Sequence, residues 1–263
     1  MPSEMLVSII NSKPEILLFV IAGFFGGFVL LALGFIWFRK RMLIENTPTS
    51  KVRSLAMGLV EVYGKVASAG TMLKSPFGGD DCVYYKYHID EYRQTGKNAH
   101  WVTVRKGEER MRFYLDDGTG QVLVDPKGAG IETSEDYRYD SGWGKDPPRM
   151  VMDFLDGNGM KHEGFLGTNK QLRFIEHNIA PSDKLYVMGT AADNPFVEEG
   201  MAKQSHEDIM IQKGSFDKFF FISDKPEKDI VSGLRWKSLG GIFGGIALTV
   251  VCLATILLYS GLL

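Results

Sequence analysis

The residues able to do chemistry are few and scattered. The chain has two cysteines, Cys82 and Cys252, and five histidines, His88, His100, His162, His177 and His206. A structural zinc site takes four Cys or His ligands at close spacing. No C-x-x-C occurs and the histidines are far apart in sequence, which argues against such a site. Nucleophilic catalysis by cysteine needs a histidine within hydrogen-bond reach. His88 follows Cys82 on one predicted strand and is too distant to act, so Cys82 reads as a structural, partly buried thiol. Asp116, Asp117 and Asp125 surround a predicted hairpin. They could bind a cation, but Asp-Gly turn chemistry accounts for them without one. Asp117, Asp125 and Glu176 are the carboxylates a hydrolase would draw on. There is no G-x-S-x-G nucleophile elbow and no phosphate-binding P-loop. No metal, cofactor or catalytic residue is assigned.

These side chains must be positioned by strands. Period-two alternation appears at residues 59–66, 82–93, 100–105, 110–115 and 121–126, with Asp116-Asp117-Gly118-Thr119-Gly120 as the hairpin turn. Pro147-Pro148 opens a helix through Met150, Val151, Phe154 and Leu155, stopped by Gly157 or Gly159. Strands resume at 171–179, 184–191, 208–212 and 218–223. Tyr84, Tyr85, Tyr87 and Tyr92 form an aromatic strand, explained by packing, with an exposed partner patch as the minor alternative. Many short strands with Gly turns predict a mainly β (α+β) domain, barrel- or sandwich-like. One domain is the simpler reading, although residues 130–160 could divide two lobes.

The ends of the chain differ from its middle. Residues 16–38 and 239–262 contain no charged residue, and each exceeds the roughly 20 residues that cross a bilayer as a helix. The layout is a tail over 1–15, a first span over 16–38, a β-rich domain over 44–238 and a second span over 239–262. Arg39-Lys40-Arg41 follow the first span, and no small-residue cleavage site closes it, so it reads as an uncleaved anchor. Arg235 and Lys237 precede the second span. Both basic clusters belong to the middle segment. The positive-inside rule then places the domain in the cytoplasm of a prokaryotic cell and both termini outside a plasma membrane. The competing reading is a domain translocated regardless of charge. Between the spans, 29 Lys+Arg balance 30 Asp+Glu, so nucleic acid is not an expected partner. Thr47 and Pro48 fit an N-cap and first turn, predicting a short helix beside the membrane that ends at Gly58.

Gly23 and Gly27 form a G-x-x-x-G in the first span, as do Gly240 and Gly244, and Gly241 and Gly245, in the second. In an antiparallel pair the first cluster falls opposite Thr249, Cys252 and Ala254, and the second opposite Ala32 and Gly34. Such faces allow close helix approach within one chain or between copies as a homo-oligomer. Glycine is also simply common in membrane helices.

The middle segment resembles the GIDE domain, also called the BAM (beside a membrane) domain, known from the mitochondrial-anchored ubiquitin ligase and from prokaryotic membrane proteins. The resemblance runs through Glu45 to Lys51, which includes Thr47 and Pro48, then Gly58 to Gly64, then Cys82-Val83-Tyr84-Tyr85. It continues through Asp117-Gly118-Thr119-Gly120, Val124-Asp125-Pro126, Glu176, Ile179, Pro181, Asp183, and Leu185 to Gly189 with Tyr186. It closes on Phe221-Ile222-Ser223-Asp224. Thr47, Pro48, Tyr84, Tyr85, Asp117, Gly118, Gly120, Glu176, Asp183 and Tyr186 are therefore the candidate interaction residues. The family's ligase activity resides in a RING finger after the second span, for which this sequence has neither the cysteines nor a segment beyond Leu263. What the resemblance implies is a membrane-anchored, non-catalytic binding, sensing or scaffold module with a protein or peptide partner. The alternatives are a ubiquitin-ligase-like protein by family and a carboxylate-dependent hydrolase.

Overall fold

A computed structural model describes residues 14–96, 98–161, 169–196, 208–215, 218–260 and 262. His162, His206 and residues 1–13 of the N-terminal tail lie outside the described residues. The chain forms two compact units, one of terminal helices and one over Pro48–Pro226.

The helical unit holds α1 (Pro14–Asn46) and the C-terminal helix (Glu227–Tyr259). Each is long and apolar enough to cross a membrane. Helix α1 continues past the apolar run, through Arg39-Lys40-Arg41, because nothing there breaks it. It stops before Pro48, which offers no N–H and disfavours helical geometry in the residue before it. The Thr47 hydroxyl donates to the Leu43 carbonyl at 2.8 Å, satisfying one of the last carbonyls of α1. The short helix expected to start at Thr47 does not form. Thr49 instead bridges to Glu61, and only one 3-10 turn, Val52–Ser54, follows.

The two helices approach closely along small residues. A Cβ on Gly34 would lie 2.6 Å from the Ile242 amide nitrogen, and one on Gly245 would lie 2.8 Å from the Gly27 carbonyl oxygen. Gly23 faces Cys252, Gly27 faces Thr249, and Gly241 faces Gly34. Gly240 and Gly244 have no neighbour within 4 Å. The contact within the chain thus falls on Gly241 and Gly245, not on Gly240 and Gly244. One residue along a helix turns the side chain by about 100°, enough to move a glycine off the seam.

The β unit begins with β1 (Gly58–Ser68), β2 (Leu73–Lys74), β3 (Asp81–Cys82), β4 (Tyr84–Thr95) and β5 (Asn98–Arg110). It continues through β6 (Phe113–Asp116), β7 (Gln121–Val124), β8 (Gly130–Glu132), β9 (Tyr137–Asp140) and α2 (Arg149–Gly157). The last strands are β10 (Leu172–Ile179), β11 (Lys184–Asp193), β12 (Ile209–Gln212) and β13 (Phe221–Ser223), and the C-terminal helix is α3. Strands β1, β6, β7, β12 and β11 pair in that order, and β11 returns to β1. A closed five-stranded barrel results, with no free edge between its members. Its pairs are antiparallel except β7 with β12. Counted along the chain, the barrel order is first, second, third, fifth, fourth and back to first. This Greek-key order is that of the OB fold.

Alternation explains the barrel interior. Val60, Val62 and Val66 of β1 point in with Phe113, Leu115, Val122, Val124, Leu185, Val187 and Ile211. Gly64 holds an inward position where a Cβ would sit 2.6 Å from the Asp116 carbonyl oxygen. β1 therefore passes β6 more closely there than any side chain permits. Two long insertions, one after the first barrel strand and one after the third, meet as a second sheet ordered β5-β4-β10-β9. That sheet has its own core of Phe77, Tyr87, Ile89, Leu172 and Phe174, covered by Val151 and Leu155 of α2. Phe77 makes edge-to-face contacts with Tyr87, Phe154 and Phe174 at 5.3–5.5 Å. One compact unit thus carries two hydrophobic cores.

Candidate functional site

Most of the carboxylates that the sequence made conspicuous lock turns. Glu176 is fully buried in β10. Its Oε2 accepts from the Phe77 N–H at 2.6 Å and its Oε1 from the Gly78 N–H at 3.2 Å. Burial pushes its pKa up against the pull of those amides and the Ser75 hydroxyl. Asp117 accepts from the Thr119 amide and hydroxyl through Oδ1 and from the Val52 amide through Oδ2. Burial alone would raise its pKa, but these donors outweigh it and hold it below the usual carboxylate range. Asp183 accepts from the Ala180 N–H at 2.7 Å, in a turn where Ser182 adopts φ 74°. Gly118, at φ +82°, supplies the left-handed position of the β6–β7 turn, and Gly120 closes that turn just before β7.

The aromatic candidates are held in the same way. Tyr186 is buried and donates to Glu61 Oε2 at 2.7 Å, while Thr49 donates to Glu61 Oε1 at 2.8 Å. Tyr84 is core, its hydroxyl pushed up to about 12 by burial and the nearby Glu108. Tyr85 donates to Glu109 at 2.6 Å. Cys82 is a free, buried thiol, raised to about 12 by burial and then by Glu176. It is a poor nucleophile there. Thr47 and Pro48 terminate α1, as described. Among the described residues no cluster of three His, Cys, Asp or Glu has metal-binding geometry.

A cleft of about 830 Å³ lies elsewhere in the β unit. In the β6–β7 pair, Tyr114 sits opposite Leu123. Their neighbours Phe113, Leu115, Val122 and Val124 fill the barrel, so Tyr114 and Leu123 face outward and form the floor. Ala69 and Thr71 come from the loop after β1, and Phe196 from the loop between β11 and β12. This is the face on which OB folds hold their ligands: the second and third barrel strands, with the loops after the first and fourth.

The cleft's charges fall into two groups. Arg110 is committed to structure: its Nη1 donates to the Pro126 and Ala129 carbonyls at 2.8 and 2.9 Å, and its Nε and Nη2 bind Glu108. Asp125 accepts from the Lys127 amide at 3.1 Å and lies 3.7 Å from Arg112 Nε. Arg112 stacks on Phe196, its guanidinium carbon 3.9 Å from the ring centroid. The terminal nitrogens of Arg112, the Lys127 ammonium and the Tyr114 hydroxyl have no acceptor among the described residues. The cleft therefore offers an apolar floor, one stacked aromatic ring and a set of open donors.

Of the sequence candidates for carboxylate chemistry, Asp125 lines this cleft and Asp117 lines a different one, of about 540 Å³. Glu176 lines neither. The three are not brought together. Sequence reasoning missed Arg112, Tyr114, Leu123, Lys127 and Phe196. A signal existed in residues 110–115, where Arg112 and Tyr114 alternate with the inward Phe113 and Leu115. Phe196 had none, because only tertiary structure brings its loop to β6.

Comparison with protein families matches residues 84–258 to GIDE, described as E3 Ubiquitin ligase. The match covers the first insertion from β4 onward, the whole second insertion, four of the five barrel strands and nearly all of α3. No curated protein and no solved structure matches the chain.

Proposed function

Because the chain belongs to the GIDE family, whose matched region runs from the barrel unit into an apolar terminal helix, we propose that it is a membrane-anchored, non-catalytic binding module. The barrel cleft receives a protein or peptide segment close to the bilayer. The protein resides in the cell membrane of a prokaryote, with the β domain cytoplasmic and both termini outside. Basic flanks at Arg39-Lys40-Arg41 and at Arg235 and Lys237 support this orientation.

The cleft carries the reading. Its carboxylates, Glu108 and Asp125, are engaged by arginines and a backbone amide, while its open groups are donors and an aromatic face. That set recognises carbonyls and carboxylates on an extended ligand. The test is a photo-crosslinking residue at Phe196 of the full chain in its native membrane. A discrete adduct is expected there, weakened by Arg112→Glu and absent when the crosslinker replaces His100 on β5. Equal adducts from both positions would sink the proposal.

The family's description favours a second reading, ubiquitin transfer. Transfer by the full chain with ubiquitin, activating enzyme and conjugating enzyme would replace the non-catalytic reading.

A further inference from the structure

The helical unit carries a charged collar that the cleft does not use. Gly23 meets Cys252, Gly27 meets Thr249, and Gly34 meets Gly241, so the helices run antiparallel in one constant register. The same register, continued beyond Gly34, brings Arg39, Lys40 and Arg41 level with Leu234 to Trp236. Lys237 falls level with Phe38, and Trp37 lies at the same depth. Five basic residues and two tryptophans thus share one short belt. On one side of it, the apolar runs 16–38 and 239–259 hold no charged residue. On the other, Glu45 is paired with Arg41 at 3.0 Å.

The belt borders a concave site. A cleft of about 550 Å³ within this unit is lined by Lys228, Val231, Ser232, Arg235 and Trp236 of α3 together with two carboxylates, Glu227 and Glu45, the second already paired with Arg41. Lys228, Ser232 and Arg235 recur at helical spacing and share one face. Arg39, Lys228, Arg235 and Lys237 form no ion pair among the described residues. Trp236 is 74 % exposed. An exposed indole beside unpaired cations, at the end of a membrane-length apolar run, matches the headgroup level of a bilayer. Two unpaired cations and a hydroxyl on one helix face at that level suit a phospholipid headgroup phosphate.

We infer that this collar is a binding site for anionic phospholipid, with the phosphate held by Lys228, Ser232 and Arg235 and the glycerol region against Trp236. The inference rests on the helices lying in a bilayer. Each basic residue at an anionic surface favours association by about fivefold, so the collar should concentrate anionic lipid around the protein several-fold.

The full chain is reconstituted into vesicles of equimolar phosphatidylcholine and phosphatidylglycerol, then excised with its adjoining lipid by an amphipathic polymer, and the lipid ratio is measured. Phosphatidylglycerol should be enriched several-fold over the input. The Lys228→Gln/Arg235→Gln/Lys237→Gln variant should lose most of that enrichment, and Glu227→Gln should keep or raise it. High salt should reduce it, and glycerol phosphate should not displace the lipid. Absence of enrichment, or equal enrichment in the triple variant, would overturn the inference. Alkaline extraction from pure phosphatidylcholine vesicles separates the two levels. A chain that washes off refutes the bilayer anchor itself, whereas one that stays without enriching phosphatidylglycerol refutes the collar alone.

Discussion

Glu176 and Arg112 are both charged side chains of the β unit, yet the fold treats them in opposite ways. Glu176 is enclosed and gives its two oxygens to two backbone amides. Arg112 sits over the Phe196 ring, its guanidinium carbon 3.9 Å from the centroid, with its terminal nitrogens uncommitted among the described residues. One side chain is consumed by the structure and the other is left for something outside it. The same division separates the turn motifs from the barrel cleft, and on the helices it separates Gly245 from Gly244. A residue that a fold needs tends to stand in a recognisable pattern, because turns and close contacts demand particular chemistry. A residue that binds a ligand need only reach the surface in the right place.

The largest test of this contrast is Glu176→Ala. It strips the acceptor from two amides, one of them buried, and should cost about 3 kcal/mol. Thermal unfolding of the detergent-solubilised chain, followed by the aromatic signal of the Phe77 cluster, measures it. A loss below about 1 kcal/mol would remove Glu176 from the locking group.

On the helices, Gly245→Leu forces a side chain into the α1 backbone and should cost about 2 kcal/mol, or separate the pair. Gly244→Leu, with nothing within 4 Å, should be silent. Crosslinking between cysteines placed on α1 and α3 distinguishes them, and equal effects would dissolve the assigned seam.

Asp117→Asn should destabilise by about 1–2 kcal/mol at neutral pH. The folded Asp117 has a depressed pKa. Its contribution is therefore complete above the unfolded value of about 3.9 and is lost as the pH falls through the folded value. Stability measured between neutral pH and this acid range should decline less steeply in Asp117→Asn. An unchanged acid limb would show that the turn does not depend on the carboxylate charge.

The smallest stability effect belongs to the cleft. Arg112→Ala and Phe196→Ala should each change stability by no more than about 0.5 kcal/mol, while the adduct at the cleft fades. If either unfolds the domain as Glu176→Ala does, the cleft is scaffold and the contrast fails.

The layout of the chain was legible in its local pattern: two uncharged ends, a strand-rich middle and a helix after Pro147-Pro148. Those features follow from local periodicity and length, which neighbours in sequence set between themselves. The sequence also marked the Asp117-Gly118 turn, where the carboxylate accepts from Thr119 two residues on. Its bond from the Val52 amide, by contrast, spans 65 positions, and Asp183 stood out only through the family resemblance. Some local predictions still yielded to partners. The short helix at Thr47 gave way because α1 continues to Asn46 and Thr49 pairs with Glu61, twelve residues on. Barrel or sandwich was open until β11 was seen to close on β1, a pairing across more than a hundred residues. Only tertiary structure could bring Phe196 over Arg112, set Gly241 and Gly245 on the helix seam, and gather the cations of two distant segments at one depth. Each depends on rotation and register between remote segments, which local patterns leave undetermined and side-chain packing decides.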